Sequence, residues 1–166
     1  MCPEDESSTF VVRRAIEADD EAVGRVHTSA IRELSASHYT PEEIGVWSRP
    51  REPGHYVNAI LSEEFYVAEK GNSIVAFGTL NSKSGEIEAV YVSPPMARRG
   101  VGSQILRVLE ERARQLGLDC VHVDSALNAV SFYEKAGYER IGKSQHRLQS
   151  GGEIACVLMR KVMSRK

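Results

Sequence analysis

The stretch EIEAVYVSPPMARRGVGSQILRVLEERARQLG, residues 86–117, decides the fold. Glu86 to Val92 suits a strand: Ile87, Val90, Tyr91 and Val92 supply β-branched and aromatic bulk, and Ser93-Pro94-Pro95 then removes two backbone donors and ends it. From Gly102 onward, Ile105, Leu106, Leu109, Ala113 and Leu116 fall at helical spacing. Arg107, Glu110, Glu111, Arg114 and Gln115 take the other side, which predicts one buried and one wet face, with Glu110 and Arg114 paired four apart. Between strand and helix lies Arg98-Arg99-Gly100-Val101-Gly102-Ser103. Its glycines let the backbone approach a ligand where a helix presents unpaired N–H groups and its positive dipole end. That is an anion site, most naturally for phosphates. No Gly-Lys-Ser/Thr follows, and Ile105 stands where a dinucleotide fingerprint needs its third glycine, so ATP and NAD are disfavoured.

Working outward, Thr9 to Ala15 reads as a first strand, and Asp19 and Asp20 can cap the helix that follows, where Ala22, Val23, Val26, Ile31 and Leu34 carry apolar bulk through residues 20–36. A second helix starts at Thr40-Pro41-Glu42-Glu43, with Thr40 as N-cap, Pro41 in the first turn and Glu43 closing a capping box; Ile44 and Trp47 would face inward. Residues 55–61 suit a short helix. Glu64 to Ala68, Ser73 to Leu80 and Glu86 to Val92 are three β-type runs separated by polar turns, an antiparallel meander. Leu118 to Asp124 then reads as a strand parallel to the one at Glu86, joined to it by the central helix. Ala126 to Lys135 is a short helix ended by Gly137, and Tyr138 to Gln145 with Ile154 to Lys161 form a hairpin around Ser150-Gly151-Gly152.

This order of elements, with two local motifs, resembles the GNAT N-acetyltransferases, small bacterial single-domain members in particular. Val92-Ser93-Pro94 followed by Gly100-Val101-Gly102 keeps the spacing of the family's coenzyme-A signature, Gln/Arg-x-x-Gly-x-Gly/Ala after a strand ending in Val-x-Pro. The chain departs at the first position, where Ala97 replaces Gln or Arg. Asn128-Ala129-Val130-Ser131-Phe132-Tyr133 through Gly137-Tyr138 is similar to the family's Asn-x-x-x-Phe-Tyr-x-x-x-Gly-Phe/Tyr segment. The resemblance implies an α/β (α+β) fold, a mixed central sheet of about seven strands with helices on both faces. It covers residues 9–162, leaving 1–8 as a disordered tail and 163–166 as a C-terminal tail.

The implied activity is acetyl-coenzyme-A-dependent N-acetylation of a primary amine, on a small molecule or a protein, by direct attack in a ternary complex. The alternatives are a coenzyme-A-binding sensor without turnover, or the same fold using another acyl donor. By resemblance, Val90, Tyr91 and Val92 offer backbone groups to the pantetheine arm, Arg98, Arg99, Gly100, Val101, Gly102 and Ser103 take the pyrophosphate, and Asn128 contacts the coenzyme or caps its helix. Tyr133 matches the tyrosine that protonates the departing thiolate. Freeing a lysine-type amine at pH 7 costs roughly 4 to 5 kcal/mol, so such an acceptor wants a base. Glu86 and Glu88 are two apart and would share a strand face with Val90; one of them, Glu88 ahead, is the candidate. His38, Tyr39, Trp47, His55 and Tyr56 are candidates for the acceptor site.

Composition sets bounds on this reading. The 166 residues carry 42% hydrophobic and 27% charged side chains, ordinary for one soluble domain. A net charge of −2 without a basic block argues against nucleic acid, and no run has the apolar length of a membrane span. The odd count of three cysteines, Cys2, Cys120 and Cys156, shows no metal spacing and, with no signal-peptide pattern, fits a cytoplasmic protein; Cys120 and Cys156 read as buried small side chains. No metal is expected. Family habit admits a homodimer, for which no spacing in the sequence argues.

Overall fold

The computed structural model describes residues 9–148 and 151–164, so the expected tail at 1–8, Ser150 of the last turn, and Arg165 and Lys166 lie outside the described residues. In chain order the elements are β1 (Val11–Arg14), α1 (Asp20–Leu34), α2 (Pro41–Trp47), α3 (Val57–Ser62), β2 (Glu64–Lys70), β3 (Ser73–Leu80), β4 (Glu86–Val92), α4 (Val101–Gln115), β5 (Cys120–Ala126), α5 (Val130–Lys135), β6 (Glu139–Arg147) and β7 (Glu153–Val162). They form one seven-stranded sheet in the order β1-β2-β3-β4-β5-β7-β6. The meander β2-β3-β4 is antiparallel, β5 runs parallel to β4, and β7 inserts between β5 and β6.

Local chemistry accounts for the helix starts. Thr40 Oγ1 accepts from the Glu43 amide at 3.1 Å and Glu43 Oε1 accepts from the Thr40 amide at 3.0 Å, the capping box that the spacing predicts. The two aspartates behave differently from expectation, because each carboxylate is engaged outside its own helix. Asp19 is held by the Arg13 guanidinium at 2.8 and 2.9 Å, and Asp20 accepts from the amides of Gly54 and Tyr56, both at 2.8 Å, pinning the loop before α3 onto α1.

Ile105, Leu106, Leu109 and Ala113 of α4 are buried against one sheet face, together with Ile87, Val121, Val123 and Met159. On the opposite face Val23, Val26 and Ile60 meet Phe65, Val67 and Phe77. Two positions of α4 correct the simple two-faced picture. Glu110, placed on the wet side by its spacing, is 4% exposed: Tyr138 Oη donates to it at 2.7 Å and Lys161 Nζ at 3.1 Å. It is therefore not paired with Arg114, whose neighbour is Glu111 at 3.5 Å. Leu116, expected inside, is 42% exposed at the helix end. Of the cysteines, Cys156 is buried, but Cys120, at the first position of β5, is exposed.

What positions the site is an irregularity in β4. Thr79 pairs with Ala89 and Leu80 with Ile87, so Glu88 is an extra residue, a β-bulge. The bulge resets the alternation: Ile87, Val90 and Val92 join the α4-side cluster, while Ala89 and Tyr91 turn to the α1 side. The expectation that Val90 shares a face with Glu86 and Glu88 rested on a regular strand and fails here. The bulge also bends β4 away from β5, whose pairing with it stops after Glu86 with His122 and Ile87 with Val123.

Candidate functional site

Where β4 and β5 part, a cleft of about 720 Å³ opens between Glu88–Val92 on one side and Val123–Ala126 on the other, roofed by residues of α1, the N-terminus of α4 and α5. The Ser93 amide donates to Val75 O at 2.8 Å, which sets the hydrogen-bonding phase of this edge. In an antiparallel ladder alternate residues bond to the partner. Tyr91 therefore turns its backbone to β3, opposite Phe77, while Val90 and Val92 aim amide and carbonyl at the cleft. The expected backbone role thus falls on Val90 and Val92. Tyr91 contributes its ring instead, 4.5 Å from that of His27 and 5.6 Å from that of Phe77.

The loop before α4 closes the phosphate-sized end. Gly100 is the N-cap at φ 84, and no side chain caps the helix; the first intrahelical bond there runs from the Gln104 amide to Gly100 O, 3.1 Å. The amides of Val101, Gly102 and Ser103 therefore precede any i→i−4 partner, in a helix long enough to carry a full dipole. Arg98 also takes a left-handed backbone, φ 63, uncommon for a residue with a side chain. Ala97, Arg98, Gly100, Gly102 and Ser103 line the cleft. Arg99 is exposed away from it, and Val101 buries its side chain in the core, leaving only its amide to offer. A β-carbon at Gly102 would stand 3.3 Å from Val92 Cγ2 and 3.5 Å from the Phe132 ring, so the glycine keeps this end open.

Asn128 lines the same cleft, and its side-chain oxygen is buried without a hydrogen-bond partner among the described residues. It caps nothing: α5 has Ala129 at its N-cap. An orphaned buried oxygen costs about 1–3 kcal/mol unless a ligand or water satisfies it. Ala97, Arg98, Gly100, Gly102 and Ser103, with the Val101 amide and Asn128, together fit a coenzyme A molecule, with phosphates at the helix end and an amide-bearing arm along β4. Tyr133, on α5, also faces the cleft; it is 4% exposed, and burial pushes its phenol well above the usual range, so it stays protonated.

Beyond the bulge, a second cavity of about 40 Å³ shares Glu88, Tyr91, Asp124 and Ala126 with the cleft and is completed by Trp47, Glu86 and His146, among others. The structure thus brings Glu86 and Glu88 together at the junction. Glu86 is raised above the usual carboxylate range by burial, then by Glu88 and Asp124. Behind them stands Glu63, which the sequence reading missed. Burial, followed by the adjacent Glu88 carboxyl, pushes it up to about 7. A glutamate between a short helix and a strand has no periodic signature; only the pairing of β2, β3 and β4 brings it here.

The residues proposed from sequence for an acceptor site do not assemble as one. His38 is exposed and bonds Ser37 at 2.8 Å. The Tyr39 hydroxyl is consumed internally, donating to Ala155 O at 2.6 Å and accepting from the Leu127 amide at 2.9 Å. Tyr56 is buried with its hydroxyl 2.7 Å from His27 Nδ1, and His55 stacks edge-on against Tyr56 from outside. Burial drives the His27 imidazole down to about 3, so it is a neutral framework group. Trp47 is buried against Tyr39 and lines the small cavity. Among the described residues no group of His, Cys, Asp and Glu could hold a metal ion, and no helix is long and apolar enough to cross a membrane.

Comparison with known proteins agrees with this fold. The sequence pattern of the acetyltransferase (GNAT) family matches residues 28–138. The uncharacterized N-acetyltransferase YafP of Escherichia coli (strain K12) is 23% identical over 141 residues, 85% of this chain and 87% of that protein. A GCN5-related N-acetyltransferase structure from Rhodopseudomonas palustris superposes with a TM-score of 0.85 at 24% identity, covering 93% of this chain and 96% of that one. The PaiA N-acetyltransferase of Thermoplasma acidophilum, solved in complex with coenzyme A, gives 0.72 at 20% identity, covering 93% and 99%.

Proposed function

The chain belongs to the acetyltransferase (GNAT) family, and on that premise we propose that it takes an acetyl group from acetyl-coenzyme A and passes it to a primary amine by direct attack within a ternary complex. The observation that carries this reading is the convergence on one cleft of three features. They are the unpaired edge at Val90 and Val92, the uncapped helix end at residues 100–103 and the orphaned oxygen of Asn128.

Acetyl-coenzyme A would supply a thioester carbonyl open to attack by nitrogen and a thiol as leaving group. The chain's own residues would do the rest. The amides of Val101, Gly102 and Ser103 hold phosphate oxygens at the helix dipole, and Arg98 adds a full charge. A backbone amide at Val90 or Val92 faces the carbonyl and stabilises negative charge as it develops there. Tyr133, kept neutral by burial, holds a proton for the departing sulfur. The amine enters from the small cavity, where Glu88 receives its proton and Glu86 lies beside it. The acidic lining of that cavity favours a cationic amine.

Among the described residues a covalent route through cysteine has no support: Cys156 is buried with its thiol pushed up by desolvation, and neither it nor Cys120 lines the main cleft. The test is release of free thiol from acetyl-coenzyme A across a panel of monoamines, diamines and peptides. Amine-dependent release is expected. Stabilisation by coenzyme A with no release for any amine or any acyl donor would reduce the protein to a coenzyme-binding module.

A further inference from the structure

Glu63 is the first residue after α3 and precedes Glu64, which pairs with Leu80 of β3. The next rung places Glu63 beside Asn81, whose Nδ2 donates to Glu88 Oε1 at 3.3 Å. Glu63 Oε2 is fully buried and accepts no hydrogen bond among the described residues. No lysine or arginine forms an ion pair with Glu63 or Glu88 within 4 Å among those residues. The ionisable group that acts most strongly on Glu63 is the neighbouring Glu88 carboxyl, which raises it after burial does.

Two neighbouring carboxylates, one with a desolvated oxygen and neither ion-paired among the described residues, resist ionising together. A proton held between them removes the repulsion and forms an O–H···O⁻ bond. We propose that Glu63 and Glu88 act as one carboxyl pair sharing a single proton, and that this pair receives the proton of the incoming ammonium, with Glu63 as the positioning residue behind Glu88. The proposal rests on the acetyl-transfer reading given above.

The balance is simple. The ammonium gives one proton to the ionised member of the pair, which then holds two; the freed lone pair forms the N–C bond as the C–S bond breaks. The sulfur takes the Tyr133 proton, the nitrogen's second proton makes good that loss, and the pair returns its extra proton to water. One proton is released per acetyl group transferred. The other charged groups facing this cluster are Glu86 of β4 and, around Glu86, Asp124 and His122 of β5 and His146 of β6. A base that titrates near neutrality is better matched to this work than an ordinary carboxylate.

The first experiment needs no turnover: ¹³C-carboxyl NMR titration of glutamate-labelled full-length protein and of its Glu63→Gln and Glu88→Gln variants. In the wild type one glutamate should titrate at about 7. In either variant that transition should move down toward the ordinary carboxylate range. Its absence from the wild type, or its persistence unchanged in Glu88→Gln, overturns the pair. If Glu63→Gln does not fold, Glu88→Gln alone decides.

The second experiment is the acid limb of kcat/KM for thiol release. Glu63→Gln should move it to lower pH by about one unit and cut the rate at pH 8 about tenfold, because the base has become weaker. A lower rate with an unmoved limb means that Glu63 is merely structural and overturns the proposal. If the wild type turns over no amine, the acetyl-transfer reading fails, and the NMR titration still decides whether the pair exists.

Discussion

Gly102 and Val92 face each other across the mouth of the cleft so closely that a β-carbon on the glycine would lie 3.3 Å from Val92 Cγ2. Gly102→Val puts three carbons where the helix end meets β4 and Phe132. Coenzyme A affinity should fall at least about tenfold, which is 1.4 kcal/mol. Isothermal titration reads this, and a melting transition still present without ligand separates blocked binding from lost folding.

Tyr133→Phe removes the phenolic hydroxyl while keeping the ring that packs 5.4 Å from Tyr138. The turnover number should drop on the order of a hundredfold, with affinity for coenzyme A unchanged. Because burial holds the phenol above its ordinary value, no alkaline limb attributable to Tyr133 is expected below pH 10. Equal turnover in the variant would remove Tyr133 from the reaction.

Acid stability should report on Glu64, bound by Arg112 at 3.0 Å and Arg14 at 2.6 Å. The Arg112 guanidinium chiefly holds its carboxyl below the usual value. A depressed folded-state value means that the contribution is present above the unfolded-state value of about 4 and is lost as pH falls through the lower folded one. Urea midpoints measured from pH 7 down to 3 should therefore decline in the wild type and decline less steeply in Glu64→Gln. At pH 7 that variant should be less stable by about 1–3 kcal/mol.

Glu110→Ala would leave the Lys161 ammonium and the Tyr138 hydroxyl without their shared partner inside the α4 layer. Breaking a buried pair from one side costs about 3–5 kcal/mol. Chemical denaturation should show a loss of that size, against about 1 kcal/mol for Tyr138→Phe, which removes a single bond.

Much of this was legible in the chain because local chemistry carried it. The prolines after Val92, the capping box at Thr40 and the paired glycines at 100 and 102 each act within a few residues of themselves. Neighbours far away in sequence were not legible. EIEAVYV gives no hint of a bulge at Glu88, since the extra residue is defined only against β3, and the bulge moves Val90 to the other face. Glu110 has the spacing of a wet-face residue until Tyr138 and Lys161 converge on it. Tyr39 looks like a ligand-binding tyrosine until Leu127 and Ala155 claim its hydroxyl. Glu63 became visible as a candidate only once three strands were in register.

The parting of β4 from β5 has a mechanical meaning as well. The sheet is two plates, β1 to β4 and β5 to β7, stitched along their shared border by just two residue pairs. A molecule lying in the gap and bonded to both borders acts as the missing stitches. That seam has fewer backbone pairs than any other border of the sheet, so a ligand bridging it would add cross-links where the sheet has least.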